Sequence, residues 1–351
     1  MDSILIAMSG GVDSSVAAKL LLEQGYHVVG GTMVLHRNPA CGSADAVDSA
    51  RAIAKRLSIP FHLFDFEAAF QHCVIDGFIK SYEACETPNP CIACNRYLKF
   101  GALLEATDAL GISKIATGHY AQITRDASGR YLLKKAVDLS KDQSYVLYHM
   151  TQEQLARTAF PLGGLSKSEV RALAQAYGFE NASQKDSQDI CFVPDGDYAG
   201  FIERSTGKSY PCGDFVDQNG QILGEHKGII RYTIGQRKGL GLALPQPMYV
   251  CEKNPVENRV VLCTNDALFS KTLTANDLNW IAIPSLTARL RVKAKIRYKQ
   301  PEQWAWIEPI DKTRVQVVFD EPQRAIARGQ AVVFYDDDVV VGGGTICEDL
   351  S

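Results

Sequence analysis

Three stretches of this 351-residue chain carry reactive side chains at spacings that chemistry can use. The first is Ser9-Gly10-Gly11-Val12-Asp13-Ser14-Ser15, set between an apolar run and a helix-like stretch. Its paired glycines let the backbone turn tightly and approach an anion, while Ser9, Ser14 and the N–H groups of a helix start can cradle phosphate. The Walker A lysine motif is absent, and the plain alternative is a strand-to-helix turn capped by Asp13 or Ser14. The second is Thr87-Pro88-Asn89-Pro90-Cys91-Ile92-Ala93-Cys94-Asn95, where two prolines stiffen the approach to a helix. Cys94 is then expected near a helix N-terminus, which lowers a thiol pKa. The Cys91/Cys94 spacing suits a redox pair, half a zinc site or iron–sulfur ligation. The third is Cys191, at the end of the polar run Lys185–Asp189; taken alone it reads as a buried thiol.

Elements must hold these groups. Up to about residue 120, strand-like runs (Ile4–Met8, Val28–Val34, Phe61–Phe66, Lys114–Thr117) alternate with helix-like ones (Ser14–Gln24, Asp45–Leu57, Ala68–Tyr82, Leu98–Leu110). That alternation predicts an α/β fold with a doubly wound parallel sheet and ligands at the C-terminal strand ends. Residues 122–135 read as a hairpin laid beside that core, and Ser166-Lys167-Ser168-Glu169 as a capping box. A catalytic domain over 1–204, a glycine-punctuated β-rich central module over 205–270 and a C-terminal β-barrel over 271–351 are expected, the barrel strands beginning at Ala288.

No apolar stretch approaches the roughly 20 residues that span a bilayer, and no secretory leader is visible, so a cytoplasmic location is expected. In a reducing compartment the ten cysteines are thiols rather than a disulfide framework. Cys41, Cys73, Cys85, Cys251, Cys263 and Cys347 receive no role. The formal charge of −3, from 37 basic and 40 acidic residues, argues against a nonspecific nucleic-acid coat but leaves room for a local basic surface. Arg289, Arg291, Lys293, Lys295, Arg297 and Lys299 occupy every second position of a strand-like run, which predicts a line of six cations without opposing acids, suited to phosphate.

The Ser9–Ser15 string resembles the PP-loop of ATP pyrophosphatases, which cleave ATP between the α and β phosphates and pass AMP to an oxygen acceptor. Beyond it, nearly the whole chain resembles the tRNA-specific 2-thiouridylase family. The matching strings are AMSGGVDSS at 7–15, TPNP at 87–90 with CN at 94–95, ATGHY at 116–120, KDQSY at 141–145, KDS at 185–187 with ICF at 190–192, GQRKGLG at 235–241 and GQ at 329–330.

That resemblance implies ATP-dependent replacement of O2 of the wobble uridine by sulfur in lysine, glutamate and glutamine tRNAs, with release of AMP and pyrophosphate. It implies Cys94 as nucleophile, Cys191 as persulfide carrier and a transient Cys94–Cys191 disulfide. ATP contacts fall on Ala7, Met8, Ser9, Gly10, Gly11, Val12, Asp13 and Ser14, with Met33 and Gly118 on the adenine side and Mg²⁺ on the phosphates. tRNA contacts fall on His119, Lys141, Asp142, Gln143, Arg297, Tyr298 and Gln330. A cysteine desulfurase or sulfur-relay protein is the implied donor. Where many members of the family carry Asp after TPNP, this chain has Cys91. Cys91, Cys94 and Cys191 form a set able to ligate a [4Fe–4S] cluster, so persulfide and cluster routes both stand open. Two other readings keep part of the pattern: a PP-loop ligase adenylating a small molecule, and a non-catalytic, zinc-stabilised RNA-binding protein.

Overall fold

The computed structural model describes residues 2–36, 43–183 and 190–348; Cys41 and the KDS string at 185–187 lie outside the described residues. Strand β1 (Ser3–Ala7), helix α1 (Val12–Glu23), β2 (His27–Val34), α2 (Ser43–Arg56) and β3 (Phe61–Asp65) alternate as the apolar runs predict. Helices α3 over 67–83 and α4 over 90–108 follow, then β4 (Lys114–Ala116). Next come the hairpin β5 (Ala121–Arg125) and β6 (Tyr131–Lys135), helix α5 (Gln152–Ala156) and the short β7 (Thr158–Ala159). The parallel sheet has the order β3-β2-β1-β4-β7. Its winding direction reverses between β1 and β4, the place where open α/β sheets bind ligands beyond their strand ends. Ile4, Leu5 and Ile6 are fully buried, so β1 is fixed from both faces.

Helix α6 (Lys167–Ala176) starts at the capping box: the Ser166 hydroxyl accepts from the Glu169 N–H at 3.2 Å, and the Glu169 carboxylate accepts from the Ser166 N–H at 2.7 Å. After α7 (Tyr198–Thr206), strands β8 (Gly213–Asp217), β9 (Ile222–His226), β10 (Tyr249–Asn254) and β11 (Arg259–Cys263) form a four-stranded sheet. The last sheet contains β12 (Phe269–Trp280), β13 (Leu290–Lys295), β14 (Gln303–Pro309), β15 (Val315–Arg324), β16 (Ala331–Asp336) and β17 (Val339–Cys347). Pairing of β12 with β17 closes these six into a barrel.

Three sequence expectations change here. The β5–β6 hairpin joins the barrel rather than the parallel sheet: Lys134 pairs with Val339, and the Lys135 ammonium meets Glu302 at 2.6 Å and the Asp337 carbonyl at 2.8 Å. The barrel starts at Phe269, close to the expected 271, but its first strand, β12, stands nineteen residues before the expected Ala288; its polar Thr272, Thr274, Asn276 and Asn279 hide the strand, and Asp277 takes a left-handed φ of +47° where the register shifts. The basic run is a strand only from Leu290 to Lys295, and three of its six cations do have opposing acids. Arg289 meets Glu308 at 2.9 Å, Arg291 pairs with Asp320 and Lys293 meets Asp337 at 3.8 Å, because β14, β15 and the β16–β17 turn bring carboxylates to the same face. Arg289 also lies over Trp306 at 4.3 Å and Arg291 over Trp304 at 5.0 Å, so this face is a cation–aromatic lattice.

Candidate active site

The nucleotide half of the site grows from the β1–α1 turn. Gly10 has φ +77°, and a Cβ there would stand 2.6 Å from the Ala46 carbonyl oxygen, so only glycine fits. Ser14 Oγ donates to the Gly11 carbonyl at 3.1 Å and accepts from the Ser9 N–H at 3.2 Å, closing the loop on itself. Ser49 Oγ and Asn181 Nδ2 donate to the Gly10 carbonyl at 3.1 and 2.8 Å, holding the turn from α2 and from the segment after α6. Gly118 packs on this turn from β4: a Cβ would lie 3.0 Å from Asp13 C and Ser14 N. Ala7 ends β1, Met8 and Val12 are buried beneath the loop, and Met33 lies half-buried on the neighbouring β2. The structure thus gathers Ala7 to Ser14, Met33 and Gly118 around the switch point.

Asp13 is fully engaged. The Lys167 ammonium reaches its two carboxylate oxygens at 2.7 and 2.8 Å, and Tyr120 Oη donates to the first at 2.8 Å. A magnesium ion in this site would therefore be held by nucleotide phosphates rather than by a vacant Asp13 carboxylate.

The sulfur half sits on α4. Pro90 occupies the first helical position and the Asn89 side chain accepts from the Cys91 N–H at 3.1 Å, so the helix starts before Cys91 and Cys94 lies a turn inside. The expected depression of the Cys94 thiol does not follow. Burial pushes Cys94 up, with Lys99 opposing it and Cys91 adding to it; burial likewise pushes Cys91 up, with Lys99 opposing. Cys94 packs on the same apolar cluster as Phe192, the residue after Cys191. Phe192 is wedged among Phe70, Phe78 and Phe201 at ring distances of 5.7, 5.3 and 5.2 Å, while Cys191 is exposed rather than buried. Cys191 therefore projects from an anchored aromatic. Among the described residues no three His, Cys, Asp or Glu side chains are grouped to hold a metal ion, so Cys91, Cys94 and Cys191 are not gathered around a single ion in this arrangement.

The residues matched to tRNA contacts fall into two classes. His119 is 7% exposed, its Nδ1 sits 2.7 Å from Thr117 Oγ1, and it lies between the Phe100 and Phe160 rings; burial, helped by Lys99, drives its pKa well down, so the imidazole is neutral. Asp142 accepts from the Ala136 N–H and the Ser144 hydroxyl at 3.1 and 2.7 Å. Gln143 Oε1 accepts from the Tyr120 N–H at 2.9 Å, and Gln330 Nε2 donates to the Thr87 carbonyl at 2.7 Å. Arg297 Nη2 donates to the Ala325 carbonyl at 2.7 Å. Of these, Gln143 ties two loops together and Gln330 ties the Thr87 segment to the barrel. Tyr298 is exposed, with Asp142 and Cys91 near enough to be felt at its hydroxyl, and Lys141 is half-buried beside Asp142.

Sequence reasoning gave no functional role to Lys167, Asn181 or Lys99. The first two reach the loop from more than 150 residues away. Lys99 is five residues from Cys94, and the helix pitch decides whether the two share a face. The capping box at Ser166 was the one local signal that pointed at Lys167.

Known proteins match the chain over nearly its whole length. Family models match residues 2–195 (tRNA methyl transferase HUP domain), 199–264 (tRNA methyl transferase PRC-barrel domain) and 270–346 (aminomethyltransferase beta-barrel domain). The tRNA-specific 2-thiouridylase MnmA of Acetivibrio thermocellus is 52% identical over 98% of this chain and 98% of its own. The proteins of that name from Symbiobacterium thermophilum and Clostridioides difficile are 50% and 49% identical, over 98% and 99% of this chain and 91% and 98% of theirs. The chain belongs to the tRNA-specific 2-thiouridylase MnmA family.

Proposed function

We propose that this chain thiolates the wobble uridine of tRNA at C2, using ATP to activate O2. The observation that carries the reading is the convergence on one sheet edge of a glycine-turned anion loop at Ser9–Ser14 and a cysteine-bearing helix, α4, whose Cys94 shares an apolar cluster with the anchor of Cys191. ATP places AMP on O2, making a poor leaving group a good one, and magnesium on the phosphates offsets the charge of the departing pyrophosphate.

The chain's own residues then supply the sulfur step. Cys191 carries a persulfide whose terminal sulfur attacks C2; the C2–O bond breaks and AMP leaves with the oxygen. The Cys94 thiolate attacks the Cys191 sulfur, the persulfide S–S bond breaks, and its electron pair stays on the sulfur now bound to C2. The product pair is a Cys94–Cys191 disulfide, which a cellular dithiol reduces by two electrons. The donor that loads Cys191 is a cysteine desulfurase or a sulfur-relay protein, and the exposure of Cys191 suits such an encounter. Among the described residues no helix is long and apolar enough to cross a membrane.

Incubation with unmodified tRNA, ATP, Mg²⁺ and a persulfide donor, followed by nucleoside mass spectrometry, is expected to show 2-thiouridine and stoichiometric AMP. ATP turnover with a small-molecule acceptor and none with tRNA would reject the reading.

A further inference from the structure

Helix α4 changes pitch at its reactive residue. It is α-helical over Pro90–Ala93, π-helical over Cys94–Ala102 and α-helical again over Leu103–Asp108. At α-helical pitch, five residues turn through five steps of about 100°, which would put Lys99 about 140° away from Cys94 around the axis. The i→i+5 repeat instead stacks residue 99 one turn along the same face as residue 94, and the Leu103 N–H to Leu98 carbonyl bond shows this spacing.

Lys99 is half-buried, and among the described residues no carboxylate pairs with it. Its charge is felt at Cys91, Cys94 and His119 together, and among the described residues it is the one cation felt at either thiol. From other elements, neutral His119 on the loop after β4 feels Lys99, and Tyr298 of the barrel feels Cys91. Asp142 acts on Tyr298 and not on the thiols.

We propose that Lys99 is a positioning residue for sulfur transfer: the π-helical turn holds its ammonium beside Cys94, where it attracts the negative charge of the reacting sulfur and of the adenylate phosphate. This rests on the reading of Cys94 as the nucleophile. An anion-seeking cation with no carboxylate partner, felt both at the thiol and at His119, which follows the Gly118 that packs on the nucleotide turn, stabilises charge there without having to break an existing ion pair.

The test compares alkylation of Cys94 by anionic iodoacetate and neutral iodoacetamide, resolved by site with mass spectrometry. The thiolate fraction cancels in the ratio of the two rates, so the ratio reports local potential alone. Lys99→Met is expected to lower that ratio about tenfold, the order expected of one charge beside a partly desolvated sulfur. It is expected to lower kcat for tRNA thiolation by a similar factor while leaving KM for ATP unchanged, and Lys99→Arg is expected to restore both. Lys99→Gln, measured in parallel, guards against misfolding of one variant. An unchanged ratio in folded Lys99→Met or Lys99→Gln protein overturns the proposal, as does a lowered ratio with normal kcat. Failure of the nucleophile reading shows separately, as full thiolation by Cys94→Ser.

Discussion

Gln330 of the barrel donates its side-chain N–H to the carbonyl oxygen of Thr87, 243 residues earlier, at 2.7 Å. The Thr87 N–H in turn donates to the Arg328 carbonyl at 2.8 Å, so the segment leading to Cys91 and Cys94 is clasped by the loop before β16. Gln330→Ala is expected to cost about 1 kcal/mol of stability and to lower kcat severalfold with tRNA affinity nearly unchanged. A loss confined to tRNA affinity would instead assign Gln330 to direct contact.

The Lys167–Asp13 pair is largely enclosed, with side-chain exposures of 11% and 31%. Removing one partner strands the other, so Lys167→Met is expected to destabilise the fold by about 3 kcal/mol. The double variant Asp13→Asn with Lys167→Met leaves no stranded charge and is expected to recover most of that loss. Urea midpoints of the three proteins check this; equal losses in the single and double variants would show that the pair does not couple.

Acid should loosen the protein in a defined window. Burial lowers His119 well below its ordinary value and takes His149 down to about 4. With folded pKa values below the unfolded 6.5, the unfolded chain binds more protons in between. The stabilisation is therefore complete above about pH 6.5 and is lost as pH falls towards 4. Urea midpoints should decline from pH 7 to pH 5, with a shallower decline in His119→Asn. A flat profile would mean that these imidazoles are protonated in place.

On the barrel, Arg289, Arg291 and Lys293 already meet carboxylates, whereas Lys299 is exposed and has no ion-pair partner among the described residues. Lys299→Glu is expected to weaken tRNA binding and reduce the slope of log K against log salt by about one. Arg291→Glu should act mainly on barrel stability through Asp320. Equal salt slopes for native and Lys299→Glu protein would remove this strand end from the tRNA surface.

Much of the fold was legible because its signals are local. The apolar runs Ile4–Met8 and Val28–Val34, the glycines of the first turn and the Ser166–Glu169 box each fix one element. Helix α4 was placed eight residues late because Pro90 looked like a stiff linker, when it is the first helical residue. The pitch change at Cys94 has no counterpart in residue type, and β12 was hidden by polar residues on a barrel wall. The supporting contacts of the site were illegible for a different reason. Asp13 with Lys167, Thr87 with Gln330 and Lys135 with Glu302 join positions more than 150 residues apart, and only the fold makes them neighbours.

The most direct test is a single turnover of enzyme persulfidated at Cys191, mixed with ATP, Mg²⁺ and unmodified tRNA without reductant and quenched in acid. One Cys94–Cys191 disulfide per 2-thiouridine, with Cys94→Ser and Cys191→Ser both inactive, is the expected result. Full thiolation by Cys191→Ser, or 2-thiouridine formed with Cys94 still a thiol, would contradict it.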